Sequence, residues 1–275
     1  MVHPRSIIPA LLVASFALSD SAAHPMLDAQ LARAEREVVA SPSDPGACHR
    51  LAQLYRYRRE WVHAEDAFAR CRALPGAPDA LDLDLARTRL EAGRPDDALS
   101  PVARYVATHP EDPEGWEVRG RALEGTRPKE AADAFATALA RSASTRPALP
   151  DTYLHWARTA EAAGMPTPTI LAGLDAGAAR LHGAVALQVA ALDLAERRGL
   201  VEEAVARLAA LEVHAQRKEV WAARRARLLG EAGRDAAARE AWGTVLAAIE
   251  NLPASRQDAP ALRALRQEAQ RGARP

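Results

Sequence analysis

Small residues return at a fixed interval along this chain. Ala52, Ala86 and Gly120 stand 34 residues apart, twice in succession. Around the third of them lies the stretch Trp116 to Leu139, WEVRGRALEGTRPKEAADAFATAL. Trp116, Gly120 and Leu123 fall at i, i+4 and i+7. Gly-Thr-Arg-Pro follows, and then Ala131, Phe135 and Ala138 at the same spacing. Residues spaced in this way share one face of a helix. The spacing therefore predicts two amphipathic helices joined by a turn. One such pair cannot bury its own apolar face, so a periodic series of pairs must stack, each on its neighbours.

Composition agrees with an all-α chain. Hydrophobic residues make up 48% and aromatics only 4% of the 275 residues. Most of the apolar content is Ala and Leu, both strong helix formers that permit close helix approach. Few stretches alternate apolar and polar residues with β-branched enrichment, so essentially no sheet is expected. The 36 basic and 36 acidic residues cancel. A nucleic-acid binder usually carries a basic excess, although a local patch would escape this count.

Residues 1–23 read as a secretory signal peptide. Arg5 supplies the positive region, Ile7 to Leu18 the apolar run, and Ser21-Ala22-Ala23 the small residues for cleavage after Ala23. The run is shorter than the ~20 residues that a membrane helix requires, and Pro9 interrupts it. Export predicts a periplasmic or extracellular protein with no stable span after cleavage. An Ala/Arg-rich composition points to a bacterial source. Residues 26–40 then form a lone amphipathic helix, ended by Ser41-Pro-Ser-Asp-Pro.

Six helix pairs are expected next, at about 44–74, 78–109, 116–139, 151–181, 184–214 and 219–252. The first has Leu51, Ala52 and Tyr55 facing Ala64, Phe68 and Cys71. The fourth carries Thr169 and Gly173 where Ala and Phe are expected, and the sixth carries Arg225 where a small residue is expected. The Ser/Pro-rich segment Arg141 to Pro150 stretches one interval to 37 residues, as a longer loop or a hinge. A polar-faced helix over 257–270 closes the series.

The 34-residue period, with small, aromatic and Ala/Phe positions in this order, resembles the tetratricopeptide repeat (TPR) family. The resemblance implies a right-handed superhelix, an α-solenoid of about six helix pairs with capping helices at both ends. It divides the chain into a signal peptide at 1–23, an N-terminal capping helix at 24–43, the repeat array at 44–253 and a C-terminal capping helix and tail at 254–275. It also implies that the first helices line a concave groove, into which the residue after each small position points. Those residues are Gln53, Arg87, Arg121 and Arg158, with Tyr57, Leu83 and Leu154 adding apolar contacts. Such a row could grip a carboxylate. Alternatively, Arg87 pairs with Glu91, Arg121 with Glu124 and Arg158 with Glu161, within each helix.

Cys48 and Cys71 are the only cysteines. In an oxidising compartment the pair reads as a disulfide, or else as two buried thiols. The eight histidines are scattered, with no HExxH, and no GxSxG or phosphate-binding loop appears. Neither a catalytic nor a metal residue is assigned, and no cofactor is expected. The chain reads as a non-catalytic scaffold or adaptor of the bacterial cell envelope that binds a protein or peptide partner in its groove. The alternatives are a nucleic-acid-binding helical repeat and an enzyme or metal protein with a non-local site. Self-association through a terminal helix is open.

Overall fold

A computed structural model describes residues 25–142 and 147–274. The expected signal peptide at 1–23 lies outside them, as do residues 143–146 of the long connector. The described residues form fifteen helices. They fall into two compact units divided after Leu81.

The first unit holds α1 (Pro25–Ala40), α2 (Pro45–Tyr57) and α3 (Trp61–Arg72). Pro45 opens α2 where its missing N–H costs nothing, and the Asp44 side chain caps the helix by accepting from the Gly46 amide at 2.8 Å. Leu31 and Ala34 of α1 pack on Leu51 of α2. Cys48 and Cys71 are buried and joined as a disulfide between α2 and α3, with Cα atoms 5.5 Å apart.

The second unit alternates first and second helices. These are α4 (Leu81–Glu91) and α5 (Pro95–Thr108), α6 (Pro113–Leu123) and α7 (Pro128–Arg141), and α8 (Pro150–Ala162) and α9 (Thr167–Arg180). They continue with α10 (Val185–Arg197) and α11 (Val201–His214), and with α12 (Lys218–Glu231) and α13 (Asp235–Glu250). Two terminal helices follow, α14 (Ala254–Gln257) and α15 (Pro260–Gly272). The single helix expected over 257–270 is thus broken before Pro260, whose ring starts α15.

One turn is used repeatedly between paired helices. After α4, the Gly93 amide donates to Leu90 and the Arg94 amide to Arg89, with Gly93 at φ +74°. The same turn after α2 is made by Arg59 at φ +60°, a conformation that disfavours residues with a Cβ.

The core is a succession of shared clusters. Leu83, Ala86, Val102 and Val106 meet Val118 and Ala122 of the next pair. Leu123, Phe135, Trp156, Ile170, Leu174 and Leu187 link α6 through α10. Leu192, Ala204 and Leu208 form the next cluster, and Ala226, Trp242 and Val245 join α12 and α13 to Leu262 and Ala269 of α15. Each helix pair therefore supplies core to the pair beside it, as the period demands.

Two departures in the sequence have packing reasons. In α6 and α7 the small partner is Gly120 and the large one Phe135. In α8 and α9 the sizes are exchanged, Trp156 lying against Gly173. Gly173 is thus the space for Trp156, and Leu174 beside it fills the core. In α12 the small inward position is Ala226, fully buried, so Arg225 does not displace it. Arg225 is half-buried instead and pairs with Glu212 of α11 at 3.2 Å.

Candidate functional site on the first helices

The start of α6 is anchored by α5. The Tyr105 hydroxyl donates to Asp112, whose other oxygen caps α6 through the Glu114 amide at 3.1 Å. Burial, and then the Asp112 carboxylate, push the Tyr105 phenol well above its ordinary pKa, so it remains a donor.

Arg87 on α4 donates to the buried Asp84 at 3.1 Å and ion-pairs with Glu114 on α6. Arg158 on α8 donates from Nε to Glu124, the residue that caps the end of α6, at 2.6 Å. His155, stacked on Phe135, places Nδ1 2.8 Å from the same carboxylate. Glu161 on α8 is held by Arg197 and Arg198, at 2.8 and 3.2 Å. Arg224 on α12 reaches back to Asp193 and Glu196 on α10. Arg227 on α12 donates from Nε and Nη2 to the two carboxylate oxygens of Glu268 on α15, each at 2.7 Å. Hydrogen bonding by these carboxylates raises the guanidinium pKa values of Arg224 and Arg227.

Two of the pairings expected within helices are corrected by these contacts. Glu124 is taken by Arg158 and His155 of the following repeat rather than by Arg121. Glu161 is taken by Arg197 and Arg198 rather than by Arg158. Long arginine side chains reach a neighbouring helix as readily as the next turn of their own, and at the neighbour they find two carboxylate oxygens in fork geometry.

Arg121 is left exposed on α6, with no hydrogen-bond or ion-pair partner among the described residues. Leu83 is a second correction. It is only 3% exposed and belongs to the core, so it offers nothing to a groove. Leu154 is half-buried and lines a cavity of about 200 Å3 between α8 and α10. Leu154, Ala157, Leu174, Ala190 and Leu194 make its apolar floor, and Arg158, Glu161, Asp193 and Arg197 its charged rim. Ala190, Asp193 and Arg197 carried no signal in the spacing, because α10 presents no residue of unusual chemistry there.

Gln53 and Tyr57 belong to the first unit. They line a separate cavity of about 320 Å3 between α1 and α2, with Gln30, Ala34 and Leu54. The Glu37 carboxylate on its wall is held by Arg33 and Arg50, whose hydrogen bonds lower its pKa. Gln53 contacts His49 at 3.4 Å, and Tyr57 is 63% exposed beneath Arg56. No helix among the described residues is long and apolar enough to cross a membrane. No group of three or more His, Cys, Asp or Glu among them could hold a metal ion.

A family model for the tetratricopeptide repeat matches residues 79–122. Among solved structures, the type IV pilus biogenesis factor PilW superposes with a TM-score of 0.55 at 16% identity, over 68% of this chain and 86% of that one. A tetratricopeptide repeat protein from Parabacteroides merdae superposes at 0.53 and 12% identity, over 89% and 92%. PilF of Pseudomonas aeruginosa does so at 0.53 and 15% identity, over 68% and 84%. At these identities the likeness is one of fold. No curated protein sequence matches the chain.

Proposed function

Since the chain is a tetratricopeptide-repeat protein, by the repeat at 79–122 and by its fold, we propose that it is a non-catalytic scaffold that holds a protein or peptide segment on the first-helix face of its second unit. One observation carries this reading. The cavity between α8 and α10 has an apolar floor and a charged rim, and one helix away α6 exposes the unpartnered Arg121. An apolar side chain of a peptide fits the first, and a carboxylate fits the second. Arg87 and Arg158 serve chiefly as links between repeats, so the recognition role in the expected cation row narrows to Arg121, Leu154 and the residues around Ala190.

We place the scaffold in the bacterial cell envelope. The charge and apolar pattern of residues 1–23 supports export, and the Cys48–Cys71 bond suits an oxidising compartment.

The test is capture from an envelope extract by the chain from residue 24 onward. A partner retained by the native chain should be lost by Arg121→Glu and by Ala190→Gln, which fills the cavity, with melting temperatures kept. Retention of the same partner by both variants would move the contact elsewhere.

A further inference from the structure

The cavity between α8 and α10 has a counterpart between α12 and α15. Leu154, Ala157 and Glu161 line the first from α8, at steps of three and four residues. Val220, Ala223 and Arg227 line the second from α12, at the same steps. On the facing helices, Ala190, Leu194 and Arg197 of α10 line the first, and Ala261, Leu265 and Glu268 of α15 the second, both sets at steps of four and three. Residues at these steps share one helix face. An ion pair stands at the same end of each cavity with its signs exchanged, Glu161 with Arg197 at 2.8 Å and Arg227 with Glu268 at 2.7 Å. The second cavity encloses about 460 Å3. Buried Ala223 and half-buried Leu265 form its floor, and Val220 is 40% exposed at its edge.

The strip between the two cavities is charged. Arg224 of α12 crosses it to Asp193 and Glu196 of α10, and all three side chains are partly exposed. Such groups match the free N–H and C=O groups of an extended chain, which a helix bonds to itself. Arg271 lines the second cavity one turn beyond Glu268. Its side chain makes no hydrogen bond or ion pair among the described residues, and Glu268 already gives both oxygens to Arg227. On the far side of the first cavity, α6 exposes the unpartnered Arg121. Along the first helices the order is cation, apolar seat, charged strip, apolar seat, cation.

We infer that the α12–α15 cavity is a second seat for the segment held at the α8–α10 cavity, and that this segment is an extended acidic peptide. Two of its apolar side chains enter the two cavities, and a carboxylate outside each of them meets Arg121 or Arg271. Neighbouring helices pack ~8–10 Å apart, so two first-helix steps separate the seats by about 16–20 Å. An extended chain covers ~3.3–3.6 Å per residue, which places the two apolar residues about six positions apart. This second seat rests on the scaffold reading for the first one and adds the partner's sequence pattern to it.

The experiment uses the chain from residue 24 onward and the fluorescent peptide Glu-Leu-Ser-Ser-Ser-Ser-Ser-Leu-Glu. Comparison probes replace either Leu by Ser, shorten the spacer to two serines, or staple a helix with its two Leu three turns apart. The first probe should bind at least about tenfold tighter than each of the others, because its second contact forms within one complex. Ala264→Gln, at an exposed position on the wall of the second cavity, should bring it down to the single-Leu level. Arg271→Glu should weaken it about threefold and lessen its salt dependence. The second seat is overturned if the probe does not bind, if its second Leu adds nothing, or if neither variant changes its affinity. It is also overturned if the helical peptide is preferred, or if the protein alone forms a dimer that Ala264→Gln separates. Ala190→Gln distinguishes the two readings. If it releases a single-Leu probe while the second Leu adds nothing, the second seat alone falls. If it changes no affinity, the scaffold reading of the first seat falls as well.

Discussion

Arg158 gives its Nε hydrogen to Glu124, one repeat back along the chain, at 2.6 Å. Arg121, three residues before that glutamate in the last turn of α6, makes no such bond. Two arginines that look equivalent in the sequence therefore have different work. Arg158→Glu sets a second carboxylate beside Glu124 and should lower stability by about 1 kcal/mol, the scale of an exposed pair. Arg121→Glu should change it by no more than about 0.5 kcal/mol. Denaturant titration of the two variants checks the difference. Equal losses would show that Arg158 is not a link between repeats.

Gly120 and Gly243 give opposite expectations for one substitution. A Cβ at Gly120 would stand 2.9 Å from the ring of Phe135, which is fully buried and cannot move aside. Overpacking should outweigh the gain in helix propensity, and Gly120→Ala should destabilise by about 1–2 kcal/mol. At Gly243, inside α13, a Cβ meets nothing within 4 Å. Gly243→Ala should stabilise by about 0.5–1 kcal/mol. Thermal melting of both variants decides it.

Glu268 ties α15 to α12 in a pH-dependent way. The hydrogen bonds from Arg227 hold its carboxyl below the ordinary glutamate value of 4.5. A lowered folded-state pKa contributes stability that is present above the ordinary value and lost as pH falls through the folded one. Glu268→Gln should therefore melt below the native chain at pH 7, and the gap should close as pH is lowered from about 4.5. A gap that stays constant through that window would assign the effect to packing.

The Cys48–Cys71 bond closes a separation of 23 residues. On loop entropy it should stabilise the first unit by about 3 kcal/mol. Reductant should lower the melting temperature of the native chain and leave Cys48→Ala/Cys71→Ala unmoved. If native and variant respond alike, the bond contributes nothing.

The 34-residue interval and the apolar positions at i, i+4 and i+7 were enough to locate the helix pairs, because helical periodicity and Pro or Gly turns are local properties. Pro45, Pro95, Pro113 and Pro128 each open a helix in the structure, next to the turns and breaks that the sequence shows. The break before Pro260 shows the same local rule applying where the longer helix was expected.

The candidate site was legible only in outline. Its residues fall on first helices as the period indicates, but Leu83 was assigned to a groove and lies in the core. A small change in helix rotation moves a side chain from one to the other, and only packing against neighbours decides it. What the sequence determined by itself is the alternation of helices and the identity of their buried faces, both carried by contacts within a turn or two. What the tertiary structure alone decided is which carboxylate each arginine meets. Glu124 and Glu161 are equally close in sequence to Arg121 and Arg158, yet each is claimed from another helix. A long flexible cation pairs wherever two oxygens are presented in reach, and that is a property of how the helices stack.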